Sequence, residues 1–216
     1  MIENRNSDSH DVLSVYDLVS DHQAMTETPN NASELIQIIK ERHKLMMGQR
    51  PELNPGEFKT KNNKAGDSVF VAPEHLIGTL TQGFEEYLTL ARGLPRAIFM
   101  QYLISECHPF NDGNGRLSRI MMNCELHSCN QHKIIVPTVH RDSYLNGLRK
   151  ATRLGKFRVL VKVFYQLQQY AGNIDWDDYA DVRELIQQHG WNKLPDDGVG
   201  DFNRQLIKFK MDYPFE

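Results

Sequence analysis

Apolar positions recur at helical spacing along most of this chain. Leu35, Ile38, Ile39, Leu45 and Met46 form one stripe. Leu76, Ile77, Leu80, Phe84, Tyr87, Leu88 and Ala91 form a second, and Ile98, Phe99, Tyr102 and Leu103 a third, each fitting one buried face of an amphipathic helix. Start and stop signals agree with these stripes. Asn31 and Glu34 stand in capping-box positions ahead of the first, which ends near Gly48; Pro73 and Pro95 suit first helical positions, and Gly93 closes the second. Further helices are predicted after Gly115, from about Arg141 to Leu154, from Phe157 to Tyr170 and from Asp178 to His189. The helical period breaks between Pro51 and Ala72, where Glu57-Phe58-Lys59-Thr60 and Ser68-Val69-Phe70-Val71 read as two short strands flanking a polar linker. Lys133 to Val139 reads as extended and Pro195-Asp196-Asp197-Gly198 as a loop. The pattern predicts an all-α fold with one short β-hairpin, without internal repeats or low-complexity segments.

Composition narrows the function classes. With 216 residues, 40% hydrophobic and 25% charged, the chain suffices for one sizeable core or a core with a small appendage. A formal net charge of -3 supplies no general field for nucleic acid or acidic membrane, so any basic site is local. Cys107, Cys124 and Cys129 show neither metal-ligand spacing nor an even disulfide count, and read as packed thiols in a reducing compartment. Met1 to Ser20 is acidic and polar, and no apolar run reaches membrane-spanning length, so neither a signal peptide nor an anchor is expected and the predicted location is cytoplasmic. His127, His132, His140 and His189 do not share a helical face and read as surface or core residues.

One segment carries chemistry. His108-Pro109-Phe110-Asn111-Asp112-Gly113-Asn114-Gly115-Arg116-Leu117-Ser118-Arg119 places a base, a carboxylate, a glycine-rich turn and two arginines directly before an apolar helix. Gly113 and Gly115 allow a tight turn that brings backbone N–H groups near an anion, at a helix end that carries partial positive charge. Arg116 and Arg119 lie three apart on one face. Two cations in the opening turns of a helix oppose its dipole by about 0.3–1 kcal/mol each and repel one another. A bound polyphosphate reverses both terms.

These twelve residues resemble the signature of Fic domains, His-x-Phe-x-Asp/Glu-Gly-Asn-Gly/Lys-Arg-x-x-Arg, with every specified position filled. Pro55-Gly56-Glu57-Phe58-Lys59 and Val69-Phe70-Val71-Ala72-Pro73 resemble the hairpin flap that precedes the signature in that family, and the segments from Arg141 and from Gly155 resemble the helices that follow it. The resemblance implies an N-terminal extension over 1–32, a Fic domain over 33–172 with its flap at 55–73 and signature at 108–119, and a C-terminal helical extension over 173–216. Lys59 stands where the family commonly has Arg, Ala72 where it has Pro, and Cys107 where it has an aliphatic residue. Cys107 reads as a packed hydrophobe, since a nucleophilic thiolate needs a depressed pKa.

The resemblance further implies a Fic-type helical bundle that transfers AMP from ATP to a hydroxyl of a target protein, with self-modification included. His108 is then the general base and Asp112 the Mg²⁺ ligand. Gly113, Asn114 and Gly115 donate backbone N–H groups to phosphate, with the Asn114 side chain adding a bond, and Arg116 and Arg119 pair with the polyphosphate. Phe110 anchors the loop, and the flap over residues 57–71 offers a strand edge to an extended target segment. Tyr144 lines the adenine pocket or is a packed helix aromatic. Transfer of UMP, phosphate or phosphocholine, removal of AMP, and a silent nucleotide-binding module stand as alternatives. Many Fic proteins carry an inhibitory Ser/Thr-x-x-x-Glu-Gly/Asn helix; the sole Glu followed by Gly or Asn in this chain is Glu3. The expectation is that a partner protein in trans or another segment supplies inhibition.

Overall fold

The computed structural model describes residues 2–191 and 193–209. Helices α1 (Ile2–Ser20), α2 (His22–Thr26) and α3 (Ala32–Met47) open the chain; a two-stranded hairpin follows, β1 (Lys64–Ala65) and β2 (Ser68–Val69), then α4 (Leu76–Thr89), α5 (Leu94–Cys107) and α6 (Asn114–Ser128). These elements belong to a compact unit that runs to Gln131. A second unit begins at His132 and holds α7 (Arg141–Leu154), α8 (Arg158–Gly172), α9 (Tyr179–Gln188) and α10 (Pro195–Leu206). The all-α expectation holds, the hairpin being the one sheet among the described residues.

In the first unit α5 and α6 pack along one another, α4 lies against α5, and α3 touches both α4 and α6. Most stripe positions supply the core: Leu35 and Ile39 of α3, Leu80 and Phe84 of α4, and Leu103 of α5 are buried, whereas Leu45, Ile77 and Leu88, read as parts of the same stripes, are exposed. The capping box forms as expected. Asn31 Oδ1 accepts from the Glu34 N–H at 2.9 Å, and the Glu34 carboxylate accepts from the Asn31 side chain and the Asn30 backbone. Asn30 and Asn31 hold that carboxyl below its ordinary pKa, the Asn30 backbone N–H contributing most.

Three elements differ from the sequence reading. The hairpin is shorter and shifted: Glu57 to Thr60 is not a strand, and β1 falls inside what read as a linker, with Lys64 opposite Val69 and Ala65 opposite Ser68 around Gly66 at φ 55°. The apolar signal at Phe58 reflects packing on the core, where its ring meets Phe110 at 5.3 Å. Residues 2–20 form α1 despite lacking a clear stripe. Residues 195–206 form α10, not a loop: Pro195 occupies the first turn, Asp196 and Asp197 sit where the helix dipole favours acids, and Phe202 and Leu206 are buried.

In the second unit α7 approaches α8 so closely that a Cβ on Gly147 would lie 3.0 Å from the Leu160 Cα. Tyr170, at the end of α8, hydrogen-bonds His189 and Trp191, and its ring meets Phe202 edge-on.

Candidate active site

Helix α5 ends by delivering His108 into a left-handed conformation at φ 45°, ψ 57°, its N–H bonded to the Ile104 carbonyl at 3.0 Å. A non-glycine residue at positive φ is uncommon, and here it reverses the chain at the residue expected to be the base. His108 Nδ1 lies 3.2 Å from the Ser105 carbonyl, which can only accept. The proton of the neutral imidazole is therefore on Nδ1, and the Nε2 lone pair is left to take a proton. Phe70, just past β2, stacks on the ring at 3.7 Å and 5°. Burial pulls this imidazole below its ordinary pKa; the Ser105 carbonyl and Asp112 oppose that shift and the Lys59 ammonium reinforces it. His108 is thus a neutral acceptor at physiological pH.

The loop is held by residues outside the signature. Lys59 is 3% exposed; its N–H donates to the Pro109 carbonyl at 2.8 Å, and its Nζ donates to the Cys107 carbonyl at 3.0 Å and to Asn63 Oδ1 at 2.7 Å. Asn63 Nδ2 donates in turn to the carbonyls of His108 and Phe110. The base of the flap and the loop bearing His108 are therefore one hydrogen-bonded body. Desolvation lowers the Lys59 pKa from its ordinary value. On the other side, α3 presents His43, which is fully buried and stacks on Phe110 at 3.8 Å and 3°. The Gly56 N–H donates to His43 Nδ1 at 2.9 Å, so Nε2 carries the proton and donates to the Asp112 carbonyl at 3.1 Å. Phe110 is an anchor, as expected from its place between polar neighbours. His43, Lys59 and Asn63 as loop supports were not found in the sequence, because nothing in local spacing marks a partner 45 to 69 positions away.

After Phe110 the loop closes on itself. Asn114 Oδ1 accepts from the Phe110 N–H at 2.9 Å, and its Nδ2 donates to the Phe110 carbonyl at 2.8 Å. This side chain, 1% exposed, is committed within the loop, which differs from the expectation that it bonds phosphate and leaves the Asn114 backbone N–H for that purpose. Gly113 takes φ 75°, and a Cβ on it would meet Met46 Cε at 2.9 Å and Met47 Sδ at 3.1 Å, so only glycine fits. No side chain caps the start of α6, so its first N–H groups keep their affinity for an anion. Arg119 folds back along the helix, with Nη1 3.6 Å from where a Gly115 Cβ would stand. Arg116 lies near the same turn, with Nη2 3.8 Å from the Asp112 carboxylate. Asp112 is half-exposed, a hard oxygen donor suited to a divalent cation beside phosphate. Among the described residues no cluster of three or more His, Cys, Asp or Glu forms a cation cage, so further ligands to such an ion would come from substrate and water.

The loop thus brings together His108, Asp112, Gly113, Asn114, Gly115, Arg116 and Arg119. Tyr144 belongs to the second unit, where it is buried against Phe164 with ring centroids 5.6 Å apart. Cys107 is fully buried and its thiol is pushed up to about 12 by desolvation, in keeping with its reading as a hydrophobe. Among the described residues no helix is long and apolar enough to cross a membrane.

Comparison with known proteins agrees with this construction. The Fic/DOC family model matches residues 33–126. The protein adenylyltransferase Fic of Drosophila erecta is 31% identical over 132 residues, covering 59% of this chain and 26% of that protein. Its counterpart in Aedes aegypti is 27% identical over 166 residues, covering 74% and 33%. The chain therefore spans only 26% to 33% of the length of these relatives. Among solved structures, Fic-1 of C. elegans aligns with a TM-score of 0.57 at 21% identity over 83% of this chain and 49% of its own. A Fic domain containing signaling protein from Bacteroides thetaiotaomicron aligns at 0.56 and 18% identity over 92% of this chain and 69% of its own.

Proposed function

We propose that this chain, whose residues 33–126 match the Fic/DOC family model, is a protein adenylyltransferase that moves AMP from ATP to a hydroxyl side chain of a target protein, its own included. The observation that carries the reading is the adjacency of a tautomer-fixed imidazole and an uncapped, arginine-flanked helix start on one loop. In the reaction, the target hydroxyl oxygen attacks the α-phosphorus and its proton passes to His108 Nε2. A new P–O bond forms as the bond to pyrophosphate breaks. A neutral imidazole with a pKa not above its ordinary value accepts this proton near neutral pH.

The other residues bind and orient. The first N–H groups of α6 receive phosphate oxygens, and Arg116 and Arg119 pair with the charge that accumulates on the departing pyrophosphate. Asp112 would hold Mg²⁺, which neutralises phosphate charge when bound. The hairpin lends the edge around Val69, which is 76% exposed, to an extended target segment, and Phe70 connects that segment to the base by stacking on His108. The Asp112 carboxylate and the paired arginines favour nucleotide over a neutral ligand and disfavour a silent module. A protein target docked on the flap, a cytoplasmic site of action and an inhibitory partner in trans belong to the same reading.

The test is incubation with Mg²⁺ and ATP or UTP labelled on the α-phosphate, with and without lysate proteins, beside His108→Ala. Label from ATP that appears on protein and disappears in the variant is the expected result. Equal labelling by both proteins, or labelling from UTP alone, overturns the assignment.

A further inference from the structure

His140 ends the short turn Thr138–His140 ahead of α7, in the second unit, and is 4% exposed. Among the described residues neither of its ring nitrogens has a hydrogen-bond partner. A neutral imidazole carries one donor and one acceptor, and leaving both unmet in a packed interior is costly where an apolar ring of similar shape would not be. On stability grounds alone this is a poor position for histidine.

What the ring touches gives it a use. It meets Phe202 of α10 at 5.4 Å and 60°. Phe202 is fully buried and also meets Tyr170 of α8 at 5.2 Å and Trp191 at 6.4 Å. The turn and α10 approach closely here, since a Cβ on Gly198 would stand 2.8 Å from Val139 Cγ2. A second histidine reaches the same cluster through Tyr170. Trp191 Nε1 can only donate, so the Tyr170 oxygen accepts from it at 3.0 Å and its own proton goes to His189 Nδ1 at 2.5 Å. His189 is thereby held neutral, with Nδ1 as an acceptor.

A proton on either histidine breaks this arrangement. At His140 it creates a buried charge without a facing anion. Arg141 and Asp142 follow it on α7, and α10 carries Asp196, Asp197, Asp201 and Arg204, yet burial alone moves its pKa, down to about 4. Asp201 is engaged with Lys193 and Arg204. At His189 a proton on Nδ1 evicts the Tyr170 donor; burial and then the Lys208 ammonium lower its pKa from the ordinary value. Both shifts are downward, so the docked state binds fewer protons than the undocked one. Docking is complete above about pH 6.5 and weakens as pH falls towards the lowered values.

We infer that α10 is an acid-released lid of the second unit, undocked when protons enter His140 and His189 and Phe202 loses its seat between them. The inference is independent of the nucleotide chemistry and draws on no residue of the signature.

Hydrogen exchange between pH 7.5 and 5.5, corrected for intrinsic rates, tests this on the wild type and on the double variant His140→Phe/His189→Gln. The variant keeps a ring beside Phe202 and an acceptor for Tyr170, but takes up no proton at either place. In the wild type the protection of α10 amides is expected to fall at least about tenfold over this range, the share of His140 alone, while α8 amides keep theirs. The double variant is expected to hold α10 protection level. Constant protection of α10 in the wild type, a loss shared equally by α8, or a fall that persists in the double variant overturns the inference. Proton NMR of the wild-type histidine rings needs no variant to fold: a His140 signal that titrates near pH 6.5 with α10 still protected overturns it as well.

Discussion

Replacing His43 by Phe separates ring stacking from hydrogen bonding beneath the catalytic loop. The variant ring keeps the face-to-face contact with Phe110, now 3.8 Å, but cannot accept from Gly56 or donate to Asp112. The Gly56 N–H is buried, and an orphaned buried donor costs about 1–3 kcal/mol. Asp112 is exposed, so water can take the place of the imidazole at its carbonyl and the loss there is about 0.5–1.5 kcal/mol. The expected destabilisation is about 2–4 kcal/mol, a fall in urea midpoint of about 1–2 M for slopes typical of small proteins. The pH dependence supplies a second signature. Desolvation lowers the folded pKa of His43, so the unfolded chain binds more protons and stability declines as pH falls through the ordinary histidine value towards the folded one. His43→Phe removes this residue's share of that acid loss, so the gap between variant and wild type narrows by up to about 1.4 kcal/mol per pH unit below about pH 6.5. Urea unfolding of both proteins between pH 5 and 8 measures it. Equal stability at pH 7.5 would refute the assigned hydrogen bonds, and a gap that does not change with pH would refute the lowered pKa of His43.

Other outcomes follow from the same geometry. Gly113→Ala meets both a left-handed backbone and the Met46 and Met47 side chains; a cost of at least about 1–2 kcal/mol and loss of ATP binding are expected, read by thermal melts with and without ligand. Lys59→Met keeps the buried stem but removes a cation that depresses His108, so the acid limb of the kcat/KM–pH profile should move to higher pH; an unmoved limb argues against that influence. Iodoacetamide at pH 8 should label one cysteine of three in the native protein, Cys129, and all three in urea, since Cys107 and Cys124 are buried. Mass spectrometry of the peptides decides it.

The apolar period was sufficient to place α3 to α8, because each buries one face at the spacing a helix requires. The signature likewise marked the candidate site, since a glycine pair and two arginines before an apolar run have few structural uses. The supports were invisible for a shared reason: His43, Lys59 and Asn63 act on groups 69, 48 and 45 positions away, and a helical stripe identifies a face without naming what meets it. The shifted hairpin has a different origin. Phe58 and Lys59 alternate like a strand, yet one packs on Phe110 and the other bonds the loop, so tertiary contacts replaced a ladder. At Pro195 the turn-like composition competed with a helix start, and burial of Phe202 favoured the helix.

On the proposed reading, in which the flap docks a target, the shared bonding of Lys59 and Asn63 with the carbonyls from Cys107 to Phe110 constrains how targets can change. Variation at those two positions breaks bonds to the signature loop, whereas residues 64–69 are mostly exposed and make none of these bonds. With a target docked on the flap as proposed, selection for a new one is channelled into the hairpin tip. A diversified library confined to residues 64–69 should retain catalysts that one spanning 59–63 loses.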